Sequence, residues 1–243
     1  MIGELFTKKK KFLGLISTTD LHSHLLPGID DGVQSIEESI EVIKGFKNLG
    51  FKKLITTPHI MYDFYKNDAK IIKGKLAEVK DALLKADVNI TLEAAAEYYL
   101  DEYFQEIVAR DESILTFGDN YVLFELSFTT KPLNLKQVIF DLQTKGYKPV
   151  LAHAERYLYF HKNFEDLQSL HDAGVIFQLN LLSLSGYYSK EVKRMADTLL
   201  KKNMISLIGS DCHNGKQLVS LGKTLNSAAM NSLFDKPLLN QSL

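Results

Sequence analysis

The segment DLHSHLLPGIDDG, residues 20–32, places two histidines one residue apart and follows them with two adjacent aspartates. Because successive side chains of a β-strand point to opposite faces, His22 and His24 would point the same way if a strand ends here. Two imidazoles and a carboxylate that converge on one point are typical ligands of a metal ion. The pair alone is weak evidence, so further ligands must come from the rest of the chain.

The ends of other apolar, strand-like segments carry the same residue types. The segments TTPH, LEAAAEYY, LFELS, LAHAER and GSDCH supply, in that order, His59, Glu97, Glu125, His153 with Glu155 and Arg156, and Asp211 with His213. Five of the seven histidines lie at such ends, whereas His161 and His171 fall in or near a helical pattern and are expected to be surface or boundary residues. Buried imidazoles and carboxylates that meet at one place are costly without a cation, so the joint pattern predicts a metal centre.

The elements that must position these residues alternate along the chain. Apolar, β-branched segments predict strands over 15–21, 53–57, 89–95, 121–127, 148–153, 175–180 and 205–210. Helical periodicity predicts helices over 35–49, 67–86, 134–145, 164–173 and 190–203. Ser35 and Glu38 form a candidate capping box, and Gly50, Gly146 and Gly174 stand where helices should end.

Seven such units predict an α/β fold, either a parallel barrel or a doubly wound sheet, and periodicity does not choose between them. In both folds the functional residues gather at the carboxyl ends of the strands. The sixth strand, which ends at Asn180, supplies no charged residue there.

The candidate ligands offer nitrogen and oxygen atoms and no thiolate. This set disfavours a structural zinc site and suits Mn²⁺, Fe²⁺ or catalytic Zn²⁺, and Mg²⁺ is a further alternative. The candidates are too many for one ion, so a cluster of two or three is expected. Such clusters clamp phosphate oxygens and activate water for in-line attack.

The bulk composition restricts the class of protein. The chain has 243 residues, 45% of them apolar, and a formal net charge of −1, which gives no general attraction to nucleic acid or to an anionic membrane. The single cysteine excludes an intrachain disulfide. The apolar run after KKKK is too short for a signal peptide, and no segment reaches the roughly 20 apolar residues that a membrane helix needs. We therefore expect a cytoplasmic protein without a membrane span.

The domain prediction is an N-terminal extension, residues 1–14, followed by a single domain over 15–243. The basic run in the extension is expected to be solvated, or else to help dock a partner or a membrane surface.

Taken together, these motifs carry a family resemblance. The order DLHSH, DDG, TPH, two glutamates, AHAER and SDCH resembles that of the PHP (polymerase and histidinol phosphatase) superfamily. More closely, HSHLLPGIDDG, TTPHI, AHAERY and GSDCHN are similar to the manganese-dependent bacterial protein-tyrosine phosphatases of capsule and exopolysaccharide loci, over residues 18–225.

The resemblance implies a distorted (β/α)7 TIM-like barrel, the PHP fold, with three metal ions. It implies that a first ion is held by His22, His24, Glu97 and Asp211; that Glu97 bridges to a second, with Glu125 and His153; and that Asp31, His59 and His213 hold a third. Asp30 is the alternative to Asp31, because spacing does not separate adjacent aspartates. Arg156 would bind the phosphate.

One position departs from the family pattern. Relatives tend to place an arginine shortly after the last histidine, where the segment HNGKQ has Lys216. Lysine is a point charge without the planar fork of a guanidinium. Lys216 is therefore either a weaker phosphate ligand or a solvated side chain.

The implied function is a metal-dependent phosphatase that acts on protein phosphotyrosine, with a bacterial tyrosine kinase that regulates capsular or exopolysaccharide synthesis as the expected substrate. The alternatives are a histidinol-phosphate phosphatase or another small-molecule phosphomonoesterase, and a non-catalytic metal-binding scaffold. The sequence does not predict an oligomeric state.

Two further groups of residues bear on the substrate and the mechanism. Aromatic residues near the ligand loops are expected to pack at the barrel rim, with one or two lining a cleft for a phenyl ring: Phe64, Tyr65, Tyr98, Tyr99, Tyr157 and Tyr159. Cysteine-based tyrosine phosphatases need an arginine six residues after the nucleophile, but the residue six positions after Cys212 is Leu218. Cys212 is therefore expected to be a small packing residue.

Overall fold

The computed structural model describes residues 17–110, 114–233 and 236–243. The predicted extension, residues 1–14, and the beginning of the first predicted strand lie outside the described residues, so the domain boundary stays a prediction.

The strands are short and all their ladders are parallel. In the described residues they are β1 Thr19–Leu21, β2 Lys53–Thr56, β3 His59–Ile60, β4 Thr91–Ala94, β5 Glu97–Tyr99, β6 Tyr121–Glu125, β7 Lys148–Leu151, β8 Ile176–Asn180 and β9 Ile205–Gly209. One sheet has the order β1-β2-β4 and the other the order β3-β5-β6-β7-β8-β9. All seven predicted strands are present. The second and third are each followed, after a two-residue interruption, by a further short strand, β3 or β5, that the sequence patterns did not predict.

The interruptions make the barrel irregular. Thr57 and Pro58 separate β2 from β3, and Ala95 and Ala96 separate β4 from β5. Proline has no amide hydrogen and cannot continue a ladder on that side. The ladder consequently passes from one sheet to the other within these two regions, and the barrel does not close as one continuous sheet.

The first and last strand regions meet beyond the ends of β1 and β9. The amide of Asp211 donates to the carbonyl of His22 at 2.8 Å, and the amide of His24 donates to the carbonyl of Cys212 at 2.9 Å. The predicted α/β class and distorted (β/α)7 TIM-like barrel are confirmed.

Helices connect the strands and cover the outside of the barrel. In the described residues they are α1 Ile36–Leu49, α2 Ala69–Lys85, α3 Glu102–Ala109, α4 Leu135–Thr144, α5 Leu158–Lys162, α6 Phe164–Asp172, α7 Lys190–Lys201 and α8 Gly215–Leu225. The sequence patterns did not predict α3, α5 or α8. The part of the chain that the structure describes contains no helix long and apolar enough to cross a bilayer.

Helix ends agree with the sequence signals in part. The Ser35 hydroxyl accepts from the Glu38 amide at 3.1 Å, as a capping residue should. The Glu38 carboxylate accepts from the amide of Gln34 rather than that of Ser35, so the capping box is only half formed. Gly50 follows α1 with a φ of 107°, a conformation that glycine adopts without strain.

The core has two parts. One is a large cluster of buried apolar residues from strands and helices. The other is a smaller cluster of Phe117 and apolar residues that lie in the strands or directly after them: Leu21, Ile55, Ala95, Leu123, Val150, Ala152 and Leu207. Both consist of buried apolar side chains and fix the strands in place. The carboxyl ends of the strands are therefore held at a common mouth.

Gly209 lies where β1 and β9 approach each other closely, and Gly74 provides a control elsewhere in the fold. A Cβ on Gly209 would lie 2.0 Å from the carbonyl oxygen of Leu21, whereas a Cβ on Gly74, inside α2, would meet no atom within 4 Å. We expect Gly209→Ala to destabilise the fold by about 3 kcal/mol or more through overpacking. We expect Gly74→Ala, the matched control, to stabilise it by about 0.5–1 kcal/mol. Urea denaturation measures both, and a neutral Gly209→Ala would contradict the close approach.

Candidate metal centre

The predicted ligands come together at the carboxyl ends of the strands, around a cavity of about 340 Å³. Four overlapping groups have ligand atoms within 4.8 Å of one another: His24, Asp31, His59 and His213; His22, His24 and Asp211; His22, Glu97 and His153; and His59, Glu97 and Glu125. All nine predicted ligands belong to at least one group. The structure thus brings together side chains that are up to 191 positions apart in the chain (213 − 22).

Glu97, at the start of β5, lies at the centre of the cluster and is fully buried. Its Oε2 atom is 3.0 Å from Nε2 of His22 and 3.3 Å from Nδ1 of His59. Its Oε1 atom is 3.0 Å from Nε2 of His153. A carboxylate with imidazoles on both oxygens has the geometry of a bridging ligand.

The remaining carboxylates surround Glu97. Oδ1 of Asp211 is 3.4 Å from Nε2 of His22 and 3.5 Å from Nε2 of His24. Oε1 of Glu125 is 3.2 Å from Nδ1 of His59.

The third predicted ion has its own carboxylate. Oδ1 of Asp31 is 3.5 Å from Nε2 of His59 and 3.4 Å from Nε2 of His213. The grouping differs from the family assignment because three histidines, His22, His24 and His59, each belong to the groups of two different predicted ions. His59, for example, lies within 3.5 Å of Asp31, Glu97 and Glu125.

The two adjacent aspartates have different surroundings. Oδ2 of the buried Asp30 accepts from Nδ1 of His24 at 2.7 Å and from the amide of His59 at 3.1 Å, and Oδ1 accepts from the amide of Gly32 at 3.0 Å. Asp31 instead lines the cavity. This arrangement favours Asp31 as the ligand and gives Asp30 the role of orienting His24.

The donor atoms fit a cation. Nε2 of His24 and Nδ1 of His59 are buried and have no hydrogen-bond partner in the described structure. Buried polar atoms without a partner are rare, and here both nitrogens lie 3.2–3.5 Å from carboxylate oxygens of the cluster. A cation among them would satisfy both sets of atoms.

Burial and neighbouring charges shift the pKa values of the candidate ligands in opposite directions. Burial alone would lower the pKa of His22, but the carboxylates of Glu97 and Asp211 raise it to about 9. Burial alone would raise the pKa of Glu97 and that of Asp211, but the charge of His22 holds both well below their usual range. Both carboxylates are therefore ionised at neutral pH, as ligands of a cation must be.

Backbone conformation also distinguishes the site. His22, His153 and Asp211 have φ angles of 87°, 35° and 51°, in the left-handed region that residues with a Cβ rarely adopt. β1 ends at Leu21, so the turn at His22, rather than the alternation of a strand, aims its imidazole at the cavity. Strain of this kind persists where the surrounding structure imposes it, and it clusters at functional sites.

Arg156 lies in the wall of the cavity. Its Nη1 atom donates to Oδ2 of Asp211 at 2.8 Å. The carbon of its guanidinium lies over the rings of Phe128 and Tyr188, 4.7 and 4.2 Å from their centroids. The cation–π contacts and the ion pair hold the guanidinium at the mouth, where a phosphate can reach it.

Lys216 is not brought to this position. It is an exposed residue in the first turn of α8 and does not line the cavity. The next residue, Gln217, lines it instead, and its Oε1 atom accepts from the amide of His213 at 2.6 Å.

Glu155, His161 and His171 take no part in the centre. Glu155 is buried, and its carboxylate accepts hydrogen bonds from the Ser183 hydroxyl and the backbone amide of Asn180. Burial raises the pKa of this carboxyl. His161 bonds to the carbonyl of Glu155, and His171 packs on Phe177.

Sequence reasoning missed four contributors. Gln178 and Asn180 of β8 hydrogen-bond to the candidate ligands, although neither is charged. Phe128 and Tyr188 are aromatic residues in the cavity wall. The position of Asn180 at a strand end was a usable signal, whereas no sequence pattern separates Phe128 or Tyr188 from other aromatic residues.

The aromatic residues named from the sequence lie around the site rather than in the cavity wall. Tyr98 and Tyr157 are fully buried, and their hydroxyls accept from the amides of Leu115 and Leu126. The Tyr65 ring stacks on that of His59 with a centroid distance of 5.5 Å. Phe64 is 71% exposed beside it.

Cys212 lies between two candidate ligands but does not reach the cavity. Its thiol is buried and its Sγ atom lies 3.5 Å from the carbonyl oxygen of Asn214. Burial raises the pKa of this thiol, so it is protonated at neutral pH. A thiolate nucleophile is therefore not available here.

Comparison with known proteins gives a consistent picture. Residues 18–224 match the family model described as capsular polysaccharide synthesis, CpsB/CapC. The chain is 30% identical over 197 residues to the tyrosine-protein phosphatase YwqE of Bacillus subtilis. That alignment covers 81% of this chain and 78% of YwqE. It is 26% identical to the tyrosine-protein phosphatase CpsB of Streptococcus pneumoniae, over 80% of this chain and 82% of that one.

The fold agrees as well. The chain superposes with a TM-score of 0.78 and 29% identity on a chain from the crystal structures of YwqE and CpsB, which are described as unique metal-dependent tyrosine phosphatases. The alignment covers 92% of this chain and 94% of that one. The family match spans most of the residues that form the barrel and every residue of the metal-ligand cluster, and on this basis the chain belongs to the CpsB/CapC family of capsular polysaccharide synthesis proteins.

Proposed function

We propose that this chain is a metal-dependent protein-tyrosine phosphatase that hydrolyses phosphotyrosine. The observation that carries the proposal is the convergence of imidazoles and carboxylates on the buried Glu97, next to the guanidinium of Arg156. The relatives named as tyrosine phosphatases support the same activity.

The ligand set supports two or three ions, held by His22, His24, Asp31, His59, Glu97, Glu125, His153, Asp211 and His213. Nitrogen and carboxylate ligands without thiolate favour Mn²⁺ over a structural zinc ion, with Fe²⁺, Zn²⁺ and Mg²⁺ as alternatives. When bound, such ions neutralise phosphate oxygens and activate water for attack on phosphorus.

The protein's own contribution is to bind and orient the phosphate. Arg156 offers a planar set of donors that is already held by Asp211, Phe128 and Tyr188, so little entropy is lost when phosphate binds. Its second role is electrostatic, because charge develops on the equatorial oxygens in the transition state.

The cavity wall supports an aryl substrate. Phe128 is 43% exposed, and its ring lies beside that of His153 with a centroid distance of 5.5 Å. A phenyl ring next to the metal centre can stack there.

A histidinol-phosphate phosphatase would need a separate acidic group for the substrate amine. Among the residues that line the cavity in the described structure, every carboxylate belongs to the metal-ligand set: Asp31, Glu97, Glu125 and Asp211. This distribution favours phosphotyrosine over histidinol phosphate.

The family match supports a role in capsular polysaccharide synthesis, and we propose a phosphorylated bacterial tyrosine kinase as the substrate protein. The cytoplasmic location follows from the sequence and stays a prediction.

Activity assays with Mn²⁺ test the proposal. We expect the purified protein to hydrolyse a phosphotyrosine peptide faster than histidinol phosphate, to lose activity with EDTA and to regain it with Mn²⁺.

Glu97→Gln, which removes the central charge at constant shape, should lower turnover by about a hundredfold or more while circular dichroism stays unchanged. Folded, metal-loaded protein without phosphatase activity would instead support the scaffold alternative.

Phe128→Leu tests the aryl site. We expect kcat/KM for a phosphotyrosine peptide to fall by about two- to tenfold relative to that for a phosphoserine peptide, because an aromatic pair contributes about 0.5–1.5 kcal/mol. Phe140→Leu is the matched control, since Phe140 is an exposed aromatic residue on α4 outside the cavity. An unchanged ratio of the two substrates in Phe128→Leu would exclude a role in selecting phenyl rings.

Cys212→Ser separates the metal mechanism from a cysteine mechanism. We expect the variant to keep most of its activity, and thiol alkylation to spare the wild-type protein, because the thiol is buried and protonated. Steady-state kinetics with elemental analysis of the metal measures this. A folded and fully metal-loaded Cys212→Ser protein without activity would bring back a cysteine nucleophile.

A further inference from the structure

The sixth strand, which supplies no charged residue, carries two buried amides behind the metal centre. Gln178 and Asn180 lie on β8 and are fully buried. Their side chains hydrogen-bond to each other, with Nε2 of Gln178 3.0 Å from Oδ1 of Asn180.

The orientation of the Gln178 amide is fixed by a backbone group. The amide of His153 lies 2.8 Å from Oε1 of Gln178, and a backbone N–H can only donate. The atom that faces it is therefore the carbonyl oxygen. Nε2 of Gln178 must then donate, and it does so to Asn180.

The same oxygen determines which nitrogen of His22 carries the proton. Nδ1 of His22 lies 3.0 Å from Oε1 of Gln178, an acceptor, so Nδ1 bears the hydrogen. The other nitrogen, Nε2, faces Glu97 at 3.0 Å and Asp211 at 3.4 Å. When Nε2 is deprotonated, its lone pair points towards the metal-ligand cluster.

The second amide orients the carboxylate of Asp211. Because Oδ1 of Asn180 accepts from Gln178, its Nδ2 donates, and Oδ2 of Asp211 lies 2.8 Å away. Arg156 donates to the same oxygen at 2.8 Å. Oδ2 is thus occupied by two donors, and Oδ1 is left to face the imidazoles of His22 and His24.

We propose that Gln178 and Asn180 form an amide relay that sets the tautomer of His22 and the rotamer of Asp211, and so preorganises the ion site that these two ligands share. The inference rests on the proposed metal dependence and assigns positioning residues to it. The neutral amides order an imidazole and a carboxylate without adding charge to a centre already rich in carboxylates. Asp30 orients His24 by a different chemistry, with a carboxylate on its Nδ1.

Mn²⁺ binding to the purified protein tests the relay. We expect Asn180→Ala and Gln178→Met to bind Mn²⁺ about 10–100-fold more weakly, the range found when hydrogen-bond partners of metal ligands are removed. Equilibrium dialysis against Mn²⁺ with elemental analysis measures affinity and stoichiometry, and circular dichroism reports the fold.

Asn240→Ala is the matched control. Asn240 is equally buried and bonds to the amide and carbonyl of Ile208 at 2.9 and 2.8 Å, away from the metal centre. It should lose stability and keep the wild-type affinity for Mn²⁺. If Asn180→Ala and Gln178→Met also kept that affinity, the amides would only support the fold and the relay would be overturned.

Gln178→Glu separates the effect on His22 from the effect that reaches Asp211 through Asn180. It keeps an acceptor for His22 and His153 but cannot donate to Asn180. In protein loaded with diamagnetic Zn²⁺, ¹⁵N NMR should find the Nδ1 proton of His22 hydrogen-bonded and slow to exchange with water in the wild type and in Gln178→Glu, and exchanging faster in Gln178→Met, which offers no acceptor. A wild-type His22 that carries its proton on Nε2 would contradict the inference. A wild-type protein that binds Mn²⁺ without phosphatase activity would refute the proposed function and leave the relay intact.

Discussion

The buried carboxylate of Glu97 is the charge around which the metal-ligand cluster is organised. A fully buried anion is costly unless opposite charge or hydrogen bonds compensate it, and here imidazole nitrogens of His22, His59 and His153 surround both oxygens. The same concentration of opposite charge raises the pKa of His22 and lowers that of Glu97. A cluster of this composition is stable when protons or cations balance its carboxylates, which is the property expected of a metal-binding site.

The backbone contacts that join the first and last strand regions also position three candidate ligands. The first and last strand regions are joined by hydrogen bonds from Asp211 to His22 and from His24 to Cys212, so three candidate ligands provide backbone contacts of the seam. Gly209 permits the close approach of β1 and β9, and Gly32 permits that of the following loop to His24. The positive φ angles of His22 and Asp211 occur at the same seam. The surrounding barrel therefore holds the backbone strain that aims these side chains inward.

Around this centre, the polar groups are arranged in layers of decreasing burial. Gln178, Asn180 and Asp30 are buried behind the candidate ligands and bond to them. Arg156 stands in front, over two aromatic rings and against Asp211. The buried side chains restrict the rotamers of the candidate ligands, and Asp211 in turn restricts that of Arg156. The donors that a substrate phosphate would meet are therefore already in place.

The succession of strands along the chain and the residue types at their ends could be read from the sequence, because apolar periodicity marks the strands and parallel strands gather their carboxyl ends at one edge. That was enough to predict the α/β class and to nominate the residues that now surround Glu97, whereas the choice of a barrel over a doubly wound sheet came from the family resemblance. Only the tertiary structure separated Asp31 from Asp30, brought Gln217 rather than Lys216 to the cavity, and revealed Phe128, Tyr188 and the amides of β8. These choices depend on which side chains face one another across the barrel mouth. That geometry is set by the left-handed turns and by the irregular closure of the sheet, which local periodicity does not encode.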